Sequence, residues 1–195
     1  KQDKRVRHRK RIGLDAAGIV VFVGRLVEQK NVNGLLLAWK VACTNLPDGW
    51  KLVLVGDGSM REQLEALSKA EGLTTSIIFA GQQSNIAEWM AASDILVVPS
   101  YWEGLSNTML EAMSTGLAVV STRVSGSTET LEKTGAGLVV DIGNMEQFAN
   151  AVLRLASDFT LRDEMGKIGR AVIEKNYSIE TVADRHERLY HSLVS

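Results

Sequence analysis

Apolar positions fall into two alternating patterns along the chain. Short runs rich in β-branched residues occur at 19–23, 52–55, 77–79, 95–98, 118–121 and 138–140. Between them, apolar residues recur at three- and four-residue spacing, as at 35–41, 64–67 and 109–113, the spacing of a helix face. Runs that are apolar at consecutive positions suit strands covered on both sides, the setting of a parallel sheet. Strand–helix alternation repeated five or six times predicts an α/β architecture. The expectation is a Rossmann-like, doubly wound, mostly parallel sheet of about six strands with helices on both faces. After Asp141 the strand signal stops. Three helical stretches follow, about 145–157, 161–175 and 179–193, and predict a helical carboxyl-terminal tail.

Composition narrows this picture. The chain has 195 residues, 45% of them hydrophobic and 23% charged, which fits one ordinary domain or two small ones. Only two prolines interrupt it, and no internal repeat is evident. A net charge of −1 excludes a whole-protein attraction to nucleic acid. The balance is uneven, since residues 1–11 hold seven basic residues and one acidic one, a net +6. The single cysteine, Cys43, excludes an intrachain disulfide framework and fits a reducing, cytoplasmic compartment. No apolar run approaches the roughly 20 residues of a membrane helix, and no secretory leader pattern opens the chain. It begins with lysine rather than methionine, which reads as an excised piece of something larger.

Ligands of open α/β sheets sit where strand ends lead into helix N-termini, so the residues after each apolar run carry the candidate chemistry. The first run ends in Gly24-Arg25, with Lys30 close behind. A glycine lets the backbone approach a ligand, and two cations can neutralise a diphosphate; the same residues equally suit a solvated surface. The second ends in Gly56-Asp57-Gly58, which suits a tight strand–helix turn or a ligand contact. Neither a dinucleotide fingerprint nor a Walker lysine motif occurs. The fourth run leads into Pro99-Ser100-Tyr101-Trp102-Glu103-Gly104-Leu105-Ser106-Asn107, where Ser106 or Asn107 can cap the helix that carries Glu111. The amides of that helix start, with Gly104, form an anion site. Glu103 and Glu111 lie eight residues apart and can converge only if Glu103 is in the loop. From spacing alone they read equally as acceptors for sugar hydroxyls and as a solvated carboxylate beside a helix-dipole partner. His8, His186 and His191 lie away from the strand ends and read as surface or packing residues, so no metal site is expected.

In combination these elements resemble the carboxyl-terminal half of the group 1 (family 4) glycosyltransferases, which adopt the two-domain GT-B fold. The resemblance runs from about Val20 to Tyr190. Its elements are Val23-Gly24-Arg25-Leu26 with Lys30, Leu54-Val55-Gly56-Asp57-Gly58, Phe79-Ala80-Gly81, Ala92-Ser93-Asp94-Ile95 leading to Pro99-Ser100, and the spaced pair Glu103 and Glu111. It departs from the family in two places. Gly116-Leu117-Ala118-Val119-Val120 lacks the usual proline, and Ser125-Gly126-Ser127-Thr128-Glu129 replaces a paired glycine before a glutamate.

The resemblance implies a nucleotide-diphosphate sugar as donor substrate, with no metal and no other cofactor. It places Arg25 and Lys30 on the diphosphate and Glu103 against the transferred sugar. Gly24, Gly104, Leu105 and Ser106 then lie near the phosphates, Glu111 on the ribose, and Gly81 in the wall around the base. It implies a retaining hexosyltransferase acting on a glycan, lipid or small-molecule acceptor, with a separate amino-terminal acceptor domain as partner. Residues 12–195 then form the donor domain, inactive by itself, and residues 1–11 a linker dispensable for stability. A weak, salt-sensitive contact of that linker with an anionic membrane is the runner-up for the segment, and a nucleic-acid tail the third reading. The alternatives for the whole are a glycoside hydrolase, a non-catalytic nucleotide-sugar-binding scaffold and a GT-B sugar-nucleotide epimerase.

Overall fold

The computed structural model describes residues 2–194. Its strands are β1 (Gly18–Val23), β2 (Trp50–Val55), β3 (Ile77–Gly81), β4 (Ile95–Val98), β5 (Ala118–Thr122) and β6 (Gly137–Val140). Among the described residues they form one parallel sheet in the order β3-β2-β1-β4-β5-β6. The order reverses between β1 and β4, so the crevice at their carboxyl ends is the topological switch point of a doubly wound sheet. Five of the six strands extend the sequence-expected runs by one or two residues; β4 coincides with its run.

The helices are α1 (Gln2–Arg11), α2 (Val32–Cys43), α3 (Arg61–Ala70), α4 (Ile86–Ala92), α5 (Asn107–Thr115), α6 (Met145–Ser157), α7 (Phe159–Asn176) and α8 (Ile179–Val194). Alternate residues of each central strand point to opposite sides. Val20, Phe22, Leu52 and Leu54 pack with Leu35, Leu36 and Trp39 of α2 and with Phe148, Val152 and Leu155 of α6. Ile19, Val21, Val53, Val55 and Leu96 pack with Met109 and Met113 of α5, against which α7 lies. Both sides are therefore dry, which is why these strands read as continuous apolar runs.

The turn from α6 into α7 is built by one cation. Arg162 is buried, its guanidinium about 5.6 Å from the Trp50 ring and 5.5 Å from that of Phe159. It donates to the carbonyls of Leu155 and Ala156 at the end of α6, satisfying groups that a helix C-terminus leaves orphaned.

The segment 1–11 departs from its expected form. Residues 2–11 are helical and pack on α4. Arg9 is buried and donates through Nε to Ala92 O (2.9 Å), through Nη1 to Ala16 O and Ala17 O (3.1 and 2.9 Å), and through Nη2 to Asp94. Arg5 reaches the other oxygen of Asp94 at 3.3 Å, and the Ile19 amide donates to Asp94 Oδ2 at 2.8 Å. Two of the cations of this segment, which was expected to be a linker, are thus interior groups fastened to the start of β1 and β4.

Candidate functional site

Three loops meet at the carboxyl ends of β1, β2 and β3, joined by backbone hydrogen bonds. The Gly24 amide donates to Val55 O (3.0 Å), Leu26 to Asp57 O (2.9 Å), Gly56 to Gly81 O (2.8 Å) and Met60 to Leu26 O (3.0 Å). The close approach demands glycine at position 56. Its φ is 137°, and a Cβ there would stand 1.9 Å from the Gly24 carbonyl oxygen. The meeting loops shape a cleft of about 450 Å³ lined by Val23, Gly24, Arg25, Gly56, Gln82 and Gln83 among others. Arg25 is exposed on its wall and has no ion-pair partner among the described residues. Gly81 itself turns the chain at φ 70°, and Gln83 just beyond it is fixed by donating to Ala80 O at 2.7 Å.

A second set of contacts joins the loop after β1 to the loop after β4. Lys30 closes a single 3₁₀ turn (Glu28–Lys30). Asn31 follows in the left-handed region (φ 48°), a conformation that asparagine tolerates better than most side chains. Its Oδ1 accepts from the Gly34 amide at 3.2 Å, capping α2, and its Nδ2 donates to Pro99 O at 3.3 Å. The Lys30 ammonium pairs with Glu103 Oε1. That oxygen also accepts from Ser100 Oγ at 2.7 Å. Tyr101 N donates to Gln29 O and Gln29 Nε2 to Trp102 O, both at 2.9 Å. The two aromatic rings lie exposed and stacked, 6.3 Å apart, beside Glu103.

Beyond Glu103 the chain turns through Gly104 and Leu105 into α5, capped by Ser106, whose Oγ accepts from the Met109 amide at 3.4 Å. Leu105 leans on Gly126, where a Cβ would come within 2.8 Å of its Cδ1. The glycine that survives in the departing Ser125–Glu129 stretch therefore has a packing reason. A helix start of this kind leaves first-turn amides beyond the capped one without an intrahelical partner.

The structure brings Lys30 and Glu103 into direct contact and sets Gly24 and Arg25 together in the cleft. Glu103 does lie in the loop, and among the described residues Glu111 shares neither a partner nor a cleft with it. It is exposed on α5 and lines an adjoining cleft of about 350 Å³ with Asn85, Ile86, Met90 and Ser114, Ile86 being common to both clefts. Thr122 and Asn31, both buried at the site, were not singled out by sequence reasoning, and Ser100 entered only as part of the Pro99-Ser100 element of the resemblance. A buried polar residue at a strand end has no periodic signature. The only hint was Ser100 three residues before Glu103. Among the described residues no group of three or more His, Cys, Asp or Glu is gathered.

A doubly wound half that gathers cations and a capped helix start at its switch point, with a glycine-lined cleft alongside at the ends of β1, β2 and β3, is a domain type that takes anionic ligands at its strand ends. Residues 4–172 match the family model described as Glycosyl transferases group 1. The chain belongs to this family, as a carboxyl-terminal domain of the GT-B fold. It is 35% identical over 176 residues to the lipopolysaccharide core biosynthesis glycosyltransferase LpsE of Rhizobium meliloti, covering 90% of this chain and 50% of that protein. It is 31% identical to the UDP-Gal:alpha-D-GlcNAc-diphosphoundecaprenol alpha-1,3-galactosyltransferase of Escherichia coli, covering 90% of this chain and 46% of that one. Among solved structures, sucrose-phosphate synthase from Thermosynechococcus elongatus superposes with a TM-score of 0.85 at 28% identity, covering 97% of this chain and 49% of that one. The chain spans about half the length of the curated relatives it matches.

Proposed function

We propose that this chain is the donor-binding half of a retaining glycosyltransferase that moves a hexosyl unit from a nucleotide-diphosphate sugar to a glycan, lipid or small-molecule acceptor. The observation that carries the reading is the Lys30–Glu103 pair bridging two loops at the switch point, beside the cleft that holds Gly24 and Arg25. Breaking the sugar–phosphate bond builds negative charge on the departing diphosphate and positive character at the anomeric carbon. Arg25, Lys30 and the first-turn amides of α5 stabilise the former, and Glu103 faces the latter. No metal is required in this reading, because fixed cations supply the neutralisation. Glu111, in the adjoining cleft, accepts from the ribose hydroxyls. The UDP-Gal donor in the name of the Escherichia coli relative supports a nucleotide-sugar substrate.

The acceptor side belongs, in this proposal, to an amino-terminal half of the same protein working in the cytoplasm. Among the described residues no helix is long and apolar enough to cross a membrane. Arg7 and Lys10 of α1 are exposed and suit a weak, salt-sensitive contact with anionic lipid. Calorimetric titration of this chain with UDP-, GDP- and ADP-glucose tests the core of the reading. Binding of one of them well above the other two is expected, whereas binding of none at millimolar concentration would overturn it.

A further inference from the structure

Glu103 is held from behind by a chain of buried polar groups that runs back to the neighbouring strand. The pairing of β4 with β5 ends at Val98↔Ser121, so the residues from Pro99 onward leave the sheet. They are nonetheless fixed. Thr122 Oγ1 donates to Ser100 O at 2.6 Å and lies 3.3 Å from Val98 O. Asn31 Nδ2 donates to the carbonyl between them, that of Pro99. The carbonyls of Pro99 and Ser100, just past the end of β4, are thus satisfied by side chains from two other elements, where a buried orphan would be costly. Ser100 and Thr122 are both 0% exposed. The Ser100 hydroxyl then spends its one proton on Glu103 Oε1. With Lys30 on the same oxygen, Oε2 is left without a partner among the described residues.

We propose that Ser100 and Thr122 are positioning residues for Glu103. Thr122 sets the Ser100 backbone, Ser100 fixes the rotation of the carboxylate, and Oε2 is thereby the oxygen presented to the transferred sugar. Without the serine, the carboxylate keeps only the Lys30 ammonium, a mobile point charge that does not dictate its plane. Orientation errors of about 1 Å at a reacting group are costly, and locked rotamers behind the contacting residue prevent them. The proposal rests on the reading of Glu103 as the residue that faces the sugar.

The test separates the two. For this chain and its variants, Kd is measured by calorimetry for UDP, GDP and ADP and for their glucose conjugates. The sugar preference is the ratio of the two constants for the best-binding pair. Glu103→Gln is expected to abolish the preference. Ser100→Ala and Thr122→Val are expected to lower it about tenfold while changing the Kd of the bare nucleotide less than about twofold. Thr122→Ser, which keeps the hydroxyl, restores it, and Ser100→Ala adds nothing in a Glu103→Gln background. If Glu103→Gln keeps the preference, the assignment of Glu103 fails and this proposal with it. If Glu103→Gln loses it while Ser100→Ala and Thr122→Val do not, or if they weaken both ligands equally, only the positioning role is overturned. Binding of none of the three pairs sinks both. Thermal melting checks each variant's fold, and should Ser100→Ala unfold, the Thr122 pair decides the matter alone.

Discussion

Lys30 answers to two anions in the proposed reaction, the Glu103 carboxylate that it touches and the diphosphate that it is to hold, and Arg25 to one. The difference has a measurable consequence. Replacing either with alanine removes a charge-assisted contact, about 1.5–3 kcal/mol of nucleotide-diphosphate affinity each, with little effect on the free nucleoside. Lys30→Ala also leaves Glu103 unneutralised next to the incoming phosphates, so it belongs at the upper end of that range. Adding Glu103→Gln then recovers part of the loss. Titration of nucleoside, diphosphate and diphosphate sugar against the three variants decides it; equal losses for nucleoside and diphosphate would end the clamp assignment. The two carboxylates divide in the same way. Because Glu111 lies in the adjoining cleft, Glu111→Gln weakens the bare nucleotide, whereas Glu103→Gln acts once a sugar is attached. The residues that carry charge at strand ends were thus legible from their order and spacing. The residues that hold them were not. Thr122 follows directly on an expected strand run and Asn31 carries no signal of its own, and nothing in the chain tells that both reach the carbonyls of residues 98–100.

At the scale of elements, the strands were legible because burial on both sides leaves no room for polar alternation, and α6 because its apolar stripe packs on α2 and the sheet. Helix α1 was hidden for the opposite reason. Its inward groups are arginines, so hydropathy reads it as solvated. Those arginines find their partner 85 and 89 residues away in Asp94, beyond the reach of any local pattern. The pair is interior, Asp94 being 4% exposed, and removing one partner of a buried pair leaves an uncompensated charge. Arg9→Ala leaves Asp94 with only the longer Arg5 contact and the Ile19 amide, strips three carbonyls of their donor, and is expected to cost about 3–5 kcal/mol of unfolding free energy. Arg5→Ala, whose single contact is 3.3 Å long, costs less. Deleting residues 2–11 does the work of both. Urea denaturation of the three variants checks the order; a loss below about 1 kcal/mol for Arg9→Ala would show the helix to be a passive attachment.

For the molecule as a whole, the two ends of the chain differ in how they join the domain. Helix α1 enters the interior, whereas α8 stays outside it. Beyond its own cap at Ser178, its described hydrogen bonds run to the end of α7: Arg185 to the carbonyl and side chain of Asn176 (3.1 and 3.4 Å), and Thr181 Oγ1 to Lys175 O (3.4 Å). No α8 residue belongs to either core cluster. Its apolar residues are instead open to solvent, Ile179 at 84%, Leu189 at 54%, Tyr190 at 64% and Leu193 at 72%. Each of them is therefore unfavourably hydrated in the folded domain and contributes little to its stability, since burial gain scales with area removed from water. Ending the chain at Ser178 should accordingly shift the Tm by no more than about 2 °C, within what a surface change causes. The same truncation removes a row of exposed apolar side chains, so binding of a hydrophobic dye should fall and self-association at high concentration should diminish. Nucleotide affinity should not move, because the strand-end clefts contain no residue beyond 115. A fall in Tm comparable to that of the α1 deletion would mean that α8 is packed more tightly against α7 than its exposure indicates, and a loss of nucleotide binding would place part of the site on the tail.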